Sequence, residues 1–169
     1  IKIISWNMDG LGDKIKRGIV SQYIKRLSPD IVLLQETHMM GNNCKALDRG
    51  GYKMIAHSGF TKGSRGVGIL AKKALPLMIH RSWSDTKGTF IILTGTLRGK
   101  GINIGSLYVP PRLHEQTLSE IGSILLQLPA GHIILGGDIN LVLDSNMDRF
   151  PIPTTTHNNT LQGFLNAMG

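Results

Sequence analysis

The sequence predicts an α/β protein whose β-sheets pack on each other with helices outside. Three observations carry that expectation. Apolar and β-branched runs cluster between residues 52 and 108, divided by Gly, Pro and Asp turns. Helix-like stripes are too few for strict alternation of strand and helix. In addition, three apolar runs each stop on polar residues. Ile1 to Trp6 stops on Asn7, Ile31 to Leu34 on Gln35-Glu36-Thr37-His38, and Ile133 to Leu135 on Gly136-Gly137-Asp138-Ile139-Asn140. A buried strand has no packing reason to end repeatedly on Asn, Glu and Asp. Lying side by side, such ends would form a polar cup on an apolar wall.

The elements follow in order. Ile1 to Trp6 is the first strand. Asp13 to Leu27 places Ile15, Ile19, Val20, Tyr23, Ile24 and Leu27 on a helical stripe, with lysines and arginines mostly on the wet side. Ser28-Pro29-Asp30 stops that helix. The unbroken apolar run Ile31 to Leu34 predicts a central strand buried on both faces. Gly41 to Gly51 reads as a loop or broken helix, Tyr52 to His57 as a strand, and Ser58 to Gly66 as a Gly/Lys/Arg loop. Val67 to Ala71, Leu77 to Trp83, Thr89 to Leu97 and Ile102 to Tyr108 are further strands, and Pro110-Pro111 ends the run. His114 to Leu128, with Leu118, Ile121, Leu125 and Leu128 at spacings of three and four, predicts a second helix. His132 to Leu135 predicts another buried strand, and Asp144 to Thr156 a polar loop. Leu161, Phe164, Leu165 and Met168 mark a last helix capped by Thr156 or Asn158. Trp6 and Trp83 read as core.

A length of 169 residues fits about one domain, and 41% hydrophobic content allows a sizeable core. Nineteen Lys and Arg against eleven Asp and Glu give +8, which favours polyanionic partners, nucleic acid first. Lys62, Arg65, Lys72 and Lys73 cluster around the Gly-rich loop, and Arg98 and Lys100 flank another turn. Such patches can follow a DNA backbone. The single cysteine, Cys44, excludes an intrachain disulfide and points to a reducing, intracellular compartment. No apolar stretch is long enough to cross a bilayer, so no membrane partner is expected. The chain opens at Ile1 inside a strand and closes at Gly169 after a helix-like stretch, so both ends read as cuts through a larger polypeptide.

The strand ends suit phosphodiester chemistry, which needs a metal on the phosphate oxygens, an activated water and donors that hold the phosphate in line. Mg²⁺ takes oxygen ligands, often one or two carboxylates plus phosphate and water. Glu36 is the ligand choice. Asp138 could orient or deprotonate the water. Asn7 and Asn140 supply amides for phosphate, for Asp138 or for the metal, and Tyr108 offers a phenolic hydroxyl. Taken singly, each has a plainer reading: a solvated loop Glu, a Gly-Gly-Asp turn, a capping Asn, a half-buried Tyr.

Taken together, Ser5-Trp6-Asn7-Met8-Asp9-Gly10, Leu34-Gln35-Glu36-Thr37-His38, Ser64-Arg65-Gly66-Val67-Gly68-Ile69-Leu70, Tyr108-Val109-Pro110 and Gly136-Gly137-Asp138-Ile139-Asn140 carry a family likeness. Their order resembles that of the endonuclease/exonuclease/phosphatase superfamily. Within it, the chain looks most like the apurinic-endonuclease-like domain of LINE-type retrotransposons, His38 favouring that branch. The resemblance implies a four-layer α/β/β/α sandwich of two packed sheets with the second sheet incomplete. It implies Mg²⁺, with Mn²⁺ as the alternative, held by Glu36 and supported by Asn7. It assigns Tyr108 to the scissile phosphate, and Asp138 with Asn140 to nucleophile activation and phosphate orientation. His38, Arg65, Lys62 and Arg112 fall on the substrate side. The implied task is nicking DNA in the nucleus to expose a 3′ hydroxyl that primes reverse transcription, with the reverse transcriptase downstream in the same polypeptide.

The chain departs from the pattern in places. Pro111 stands where the LINE enzymes usually carry Asn. The family's later Thr-Phe and Ile-Asp strands and terminal Ser-Asp-His are absent, so the second sheet should expose an edge along Ile133 to Leu135. The fragment is therefore expected to be poorly soluble and catalytically weak. A phosphatase of the same superfamily and a non-catalytic remnant that only binds nucleic acid are the alternatives.

Overall fold

The structure, a computed structural model, describes residues 1–61 and 63–141. Lys62, the loop 144–156 and the last expected helix lie outside the described residues. The chain divides into two compact units, Ile1–Tyr108 with Pro129–Asp138, and Val109–Leu128 with the residues from Ile139 on.

The first unit holds two four-stranded sheets. Strands β1 (Ile3–Asn7), β2 (Ile31–Gln35), β3 (Tyr52–Ser58) and β4 (Val67–Lys72) form one, in the order β1-β2-β4-β3. Strands β5 (Leu77–Ser84), β6 (Phe90–Leu97), β7 (Lys100–Tyr108) and β8 (His132–Asp138) form the other, in sequence order. Most neighbours are antiparallel, but β1 runs parallel to β2, and β7 parallel to β8. The expected pair of packed sheets with a helix outside is thus present.

β2 explains the packing. Its five residues are all buried, and period two splits them between two cores. Ile31 and Leu33 join Val67, Ile69, Ile91, Leu93, Ile102 and Ile104 between the sheets. Val32 and Leu34 join Val20, Ile24, Leu47, Tyr52 and Leu70 on the outer face. A buried polar stitch ties the sheets together: Gln35 Nε2 donates to Ser106 Oγ at 3.1 Å, and Ser106 Oγ donates to Leu34 O at 2.9 Å.

Helix α1 (Lys14–Leu27) covers that outer face. Asp13 caps it by accepting from the Lys16 N–H at 2.7 Å, and Ser28 ends it in the left-handed region at φ 51°. Only Val20 and Ile24 of its stripe are buried; Ile15, Ile19 and Tyr23 are exposed. The stripe therefore overstated the buried face, because apolar periodicity marks a face without saying that anything covers it. In the second unit, helix α2 (His114–Leu125) buries Thr117, Leu118 and Ile121 and ends before the expected Leu128. There the bonding tightens to the three-residue spacing of Gln127 N–H to Ile124 O and Leu128 N–H to Leu125 O. Pro129 follows, and it disfavours helical geometry at the residue before it.

β8 corrects two expectations. It is not a buried strand but, among the described residues, an edge of its sheet, as the absence of the family's later strands implied, with His132 and Ile133 exposed. The strand also does not end at Leu135 but continues through Gly136 and Gly137 to Asp138. A Cβ on Gly136 would lie 2.7 Å from Leu33 Cδ1 of the other sheet, and one on Gly137 would fall 1.9 Å from Leu107 O. Backbone cannot rotate out of the way as a side chain can. Gly137→Ala is therefore expected to destabilise the fold by about 1–3 kcal/mol, read as a lower denaturant midpoint at an unchanged slope. A midpoint equal to wild type would refute the close approach.

Candidate active site

Each sheet delivers a parallel strand pair whose ends carry the polar residues. Asn7 and Gln35 are register partners ending β1 and β2, so Glu36 leaves the sheet beside Asn7. Tyr108 and Asp138 are register partners ending β7 and β8. Asn7 joins the two sets, its Nδ2 donating to Glu36 Oε1 at 2.9 Å and to Asp138 Oδ2 at 3.0 Å. Its Oδ1 accepts the Asp9 N–H at 3.0 Å. That partner set orients the amide, since only the NH₂ end can serve two carboxylates. The nitrogen faces the acids, so Asn7 would ligate a cation only if its amide turned over.

Tyr108 stands at the same strand ends, facing the Glu36 and Asp138 charges. Burial first, then the Glu36 and Asp138 charges, hold its phenol above the ordinary value of 10.0, against a lowering pull from Arg65. The phenol therefore stays a protonated donor at neutral pH. His38 Nε2 lies 3.4 Å from Glu36 Oε2.

The loop after β2 is fixed by backbone bonds on both sides. Gly10 and Leu11 donate to the carbonyls of Glu36 and Thr37 at 2.7 and 2.8 Å, and Thr37 and His38 donate to those of Gly66 and Arg65 at 2.9 and 2.7 Å. Glu36, His38 and Arg65 all hold positive φ, at 47°, 53° and 52°. Non-glycine residues rarely adopt that conformation, and it gathers at functional sites. Between Glu36 and His38 the buried Thr37 turns inward, its Oγ1 3.1 Å from His57 Nε2.

Burial pushes the His57 imidazole below its ordinary 6.5. With the folded value depressed, the neutral ring contributes stability above the unfolded value, and that contribution is lost as pH falls through the folded one. Acidification should thus lower the melting temperature of the wild type more than that of His57→Gln. Parallel curves from pH 7.5 to 5, about the range in which histidines titrate, would contradict this.

Asn7→Asp would replace two donors by a third carboxylate among two acids. At least one carboxyl would then have to stay protonated, with a raised folded value. Its stabilising effect would be present at low pH and lost as pH rises. We expect a deficit of about 2–3 kcal/mol at neutral pH that shrinks on acidification, measured by melts across pH. A deficit independent of pH would contradict the bridge.

Asn7, Glu36, Tyr108 and Asp138 are thus brought together, with His38 and Arg65 beside them. Asn140 and Arg112 belong to the second unit. There Asn140, at φ 49°, donates to Val109 O at 3.3 Å. Arg112, exposed, lines a cavity of about 320 Å³ with His114, Glu115 and Leu141. Lys62 lies outside the described residues. Lys72 does not join Arg65: it is held by Asp30 at 3.1 Å and Ser28 O at 3.0 Å, at the far end of β4. Sequence reasoning missed Gln35 as the sheet-to-sheet stitch, although it sits in the Glu36 motif. It also missed the Thr37–His57 contact, which no spacing signals.

The donor set is all oxygen, which suits a hard divalent cation. Among the described residues no cluster of three or more His, Cys, Asp and Glu side chains could hold a metal. Mg²⁺ commonly needs only one or two carboxylates when phosphate and water complete its shell, so the residues present fit.

A two-sheet sandwich with an amide-bridged acid pair at its parallel strand ends defines a class, and the sequence places the chain in it. The chain belongs to the endonuclease/exonuclease/phosphatase family, whose pattern matches residues 4–165. A DNA-(apurinic or apyrimidinic site) endonuclease from Dictyostelium discoideum is 32% identical over 114 residues, 65% of this chain and 30% of that protein. The chain thus spans about a third of that relative's length. Among solved structures, the AP endonuclease LMAP from Leishmania major matches with a TM-score of 0.78 at 17% identity, over 99% of this chain and 66% of that one. An AP endonuclease from Archaeoglobus fulgidus matches at 0.72 and 20% identity, over 98% and 70%. The endonuclease domain of TRAS1, a telomere-specific non-LTR retrotransposon, matches at 0.71 and 16% identity, over 99% and 70%. At these identities the likeness is one of fold. Among the described residues, no helix is long and apolar enough to cross a membrane.

Proposed function

We propose that the chain is a Mg²⁺-dependent DNA-nicking endonuclease module of a retrotransposon polyprotein, acting on nuclear DNA to leave a 3′ hydroxyl for a reverse transcriptase downstream in the same polypeptide. The observation that carries this is the Asn7 amide bonded at once to Glu36 and Asp138. Two carboxylates carried at the ends of strands of opposite sheets share that one amide, which supports a joint role. Basic charge and the family relationship to an apurinic endonuclease support DNA as the substrate.

Leaving a 3′ hydroxyl requires breaking the bond between phosphorus and O3′ while water bonds to phosphorus from the opposite side. Asp138 takes the water proton, and O3′ leaves with a proton from solvent. Tyr108, kept protonated, donates to a non-bridging phosphate oxygen. Asn7 holds the Asp138 carboxylate in place, and Asn140 orients the phosphate. Glu36 would hold the cation, which when bound offsets the negative charge on phosphate. His38, Arg65, Lys62 and Arg112 contact the DNA backbone.

The test is supercoiled-plasmid nicking with Mg²⁺. Relaxed circles that a polymerase extends are expected, as is arrest by EDTA. Intact plasmid together with phosphate release from soluble phosphate esters would establish the phosphatase alternative. Shifted but uncut DNA would establish the binding remnant.

A further inference from the structure

We propose that Phe60 is a specificity-determining residue whose ring stacks on a base beside the nicked phosphate; this rests on the DNA-nicking reading above. Phe60 is a large apolar residue 40% exposed in a Gly/Lys/Arg loop. The Arg65 guanidinium lies over the ring, 4.7 Å from its centroid, and the Arg65 carbonyl accepts the His38 N–H at 2.7 Å. His38 Nε2 in turn lies 3.4 Å from Glu36 Oε2, so a short chain of contacts through Arg65 and His38 joins the exposed ring to the carboxylate. Bases repeat about every 3.4 Å along a strand, so a ring this close meets the nucleotides next to the cut.

The ring is held on a rigid support. Thr61 and Ser64 form a bridge that closes the loop, with Ser64 N–H donating to Thr61 O at 3.2 Å. Both stems of the loop converge on Gly88. Gly66 N–H donates to Gly88 O at 3.1 Å, and a Cβ on Gly88, whose φ is +67°, would meet Gly66 N at 2.9 Å and Phe60 N at 3.1 Å. Beneath, Ser58 Oγ donates to Asp85 O at 2.8 Å, and Asp85 accepts from Thr89 Oγ1 at 2.6 Å. A loop clamped at both stems presents its aromatic in one place, as base recognition by stacking requires. Arg65 covers part of the ring, and the exposed remainder is the surface on which a base would stack.

The test maps nick positions on a mixed-sequence duplex for wild type, Phe60→Ala and Phe60→Trp. Phe60→Ala should flatten the preference at bases flanking the nick by roughly 10-fold or more, while Phe60→Trp keeps a preference. Superimposable maps for wild type and Phe60→Ala would overturn the proposal. A second measurement is independent of cutting: 2-aminopurine placed along an oligonucleotide, with protein added in EDTA. A fluorescence change present in wild type and lost in Phe60→Ala supports stacking, and an identical change in both overturns it. Absence of any nick, with the fluorescence result intact, would fail the nuclease reading and not this one.

Discussion

Glu36→Ala is expected to reduce plasmid nicking by about 10³-fold, the equivalent of losing roughly 4 kcal/mol of charge stabilisation in the transition state. The size follows from the position of Glu36. Its Oε1 accepts from Asn7 Nδ2 at 2.9 Å, and its Oε2 lies 3.4 Å from the His38 ring. Removing the carboxylate would delete the proposed holder of the cation, and it also releases one arm of the Asn7 bridge. A binding readout separates these effects. Mg²⁺ should raise the melting temperature of the wild type and leave that of Glu36→Ala unchanged. Equal stabilisation of both would place the cation elsewhere.

Asp138→Asn should slow nicking by about 10²–10⁴-fold, the usual worth of a positioned general base, with little loss of stability. The substitution is nearly isosteric, and an amide oxygen can still accept from Asn7 Nδ2, as Asp138 Oδ2 does at 3.0 Å. What it cannot do is take a proton. The acid limb of the rate-against-pH profile should therefore disappear along with the rate. A variant that keeps that limb at reduced rate would make Asp138 a positioning group and assign the base elsewhere.

The strand runs and their polar ends were legible because burial and chemistry select opposite residue types. Ile31 to Leu34 could only be core, and Glu36 following it could only be at a rim. Sheet order was not legible. That Asn7 and Asp138 meet depends on two parallel pairings, which no local pattern encodes. Exposure was the weakest inference. Ile15, Ile19 and Tyr23 repeat at helical spacing yet face outward, whereas the exposed edge at Ile133 followed from the missing family strands and not from its own apolar run. Gly136-Gly137 misled for a related reason, because glycine's rarity in strands hides its use where one backbone must touch another. Phe60 gave no signal in the sequence, since only its stacking with Arg65 and its exposure distinguish it.

The hydrogen bond between Asn7 and Asp138 spans 131 positions of chain. During synthesis, a ribosome that has released the polypeptide only as far as Tyr108 has released every other member of the cluster but not its second acid. Interrupted translation at that point therefore yields products in which Asn7 meets one carboxylate and not two, and the bridge between the sheets closes only once the eighth strand has emerged and docked.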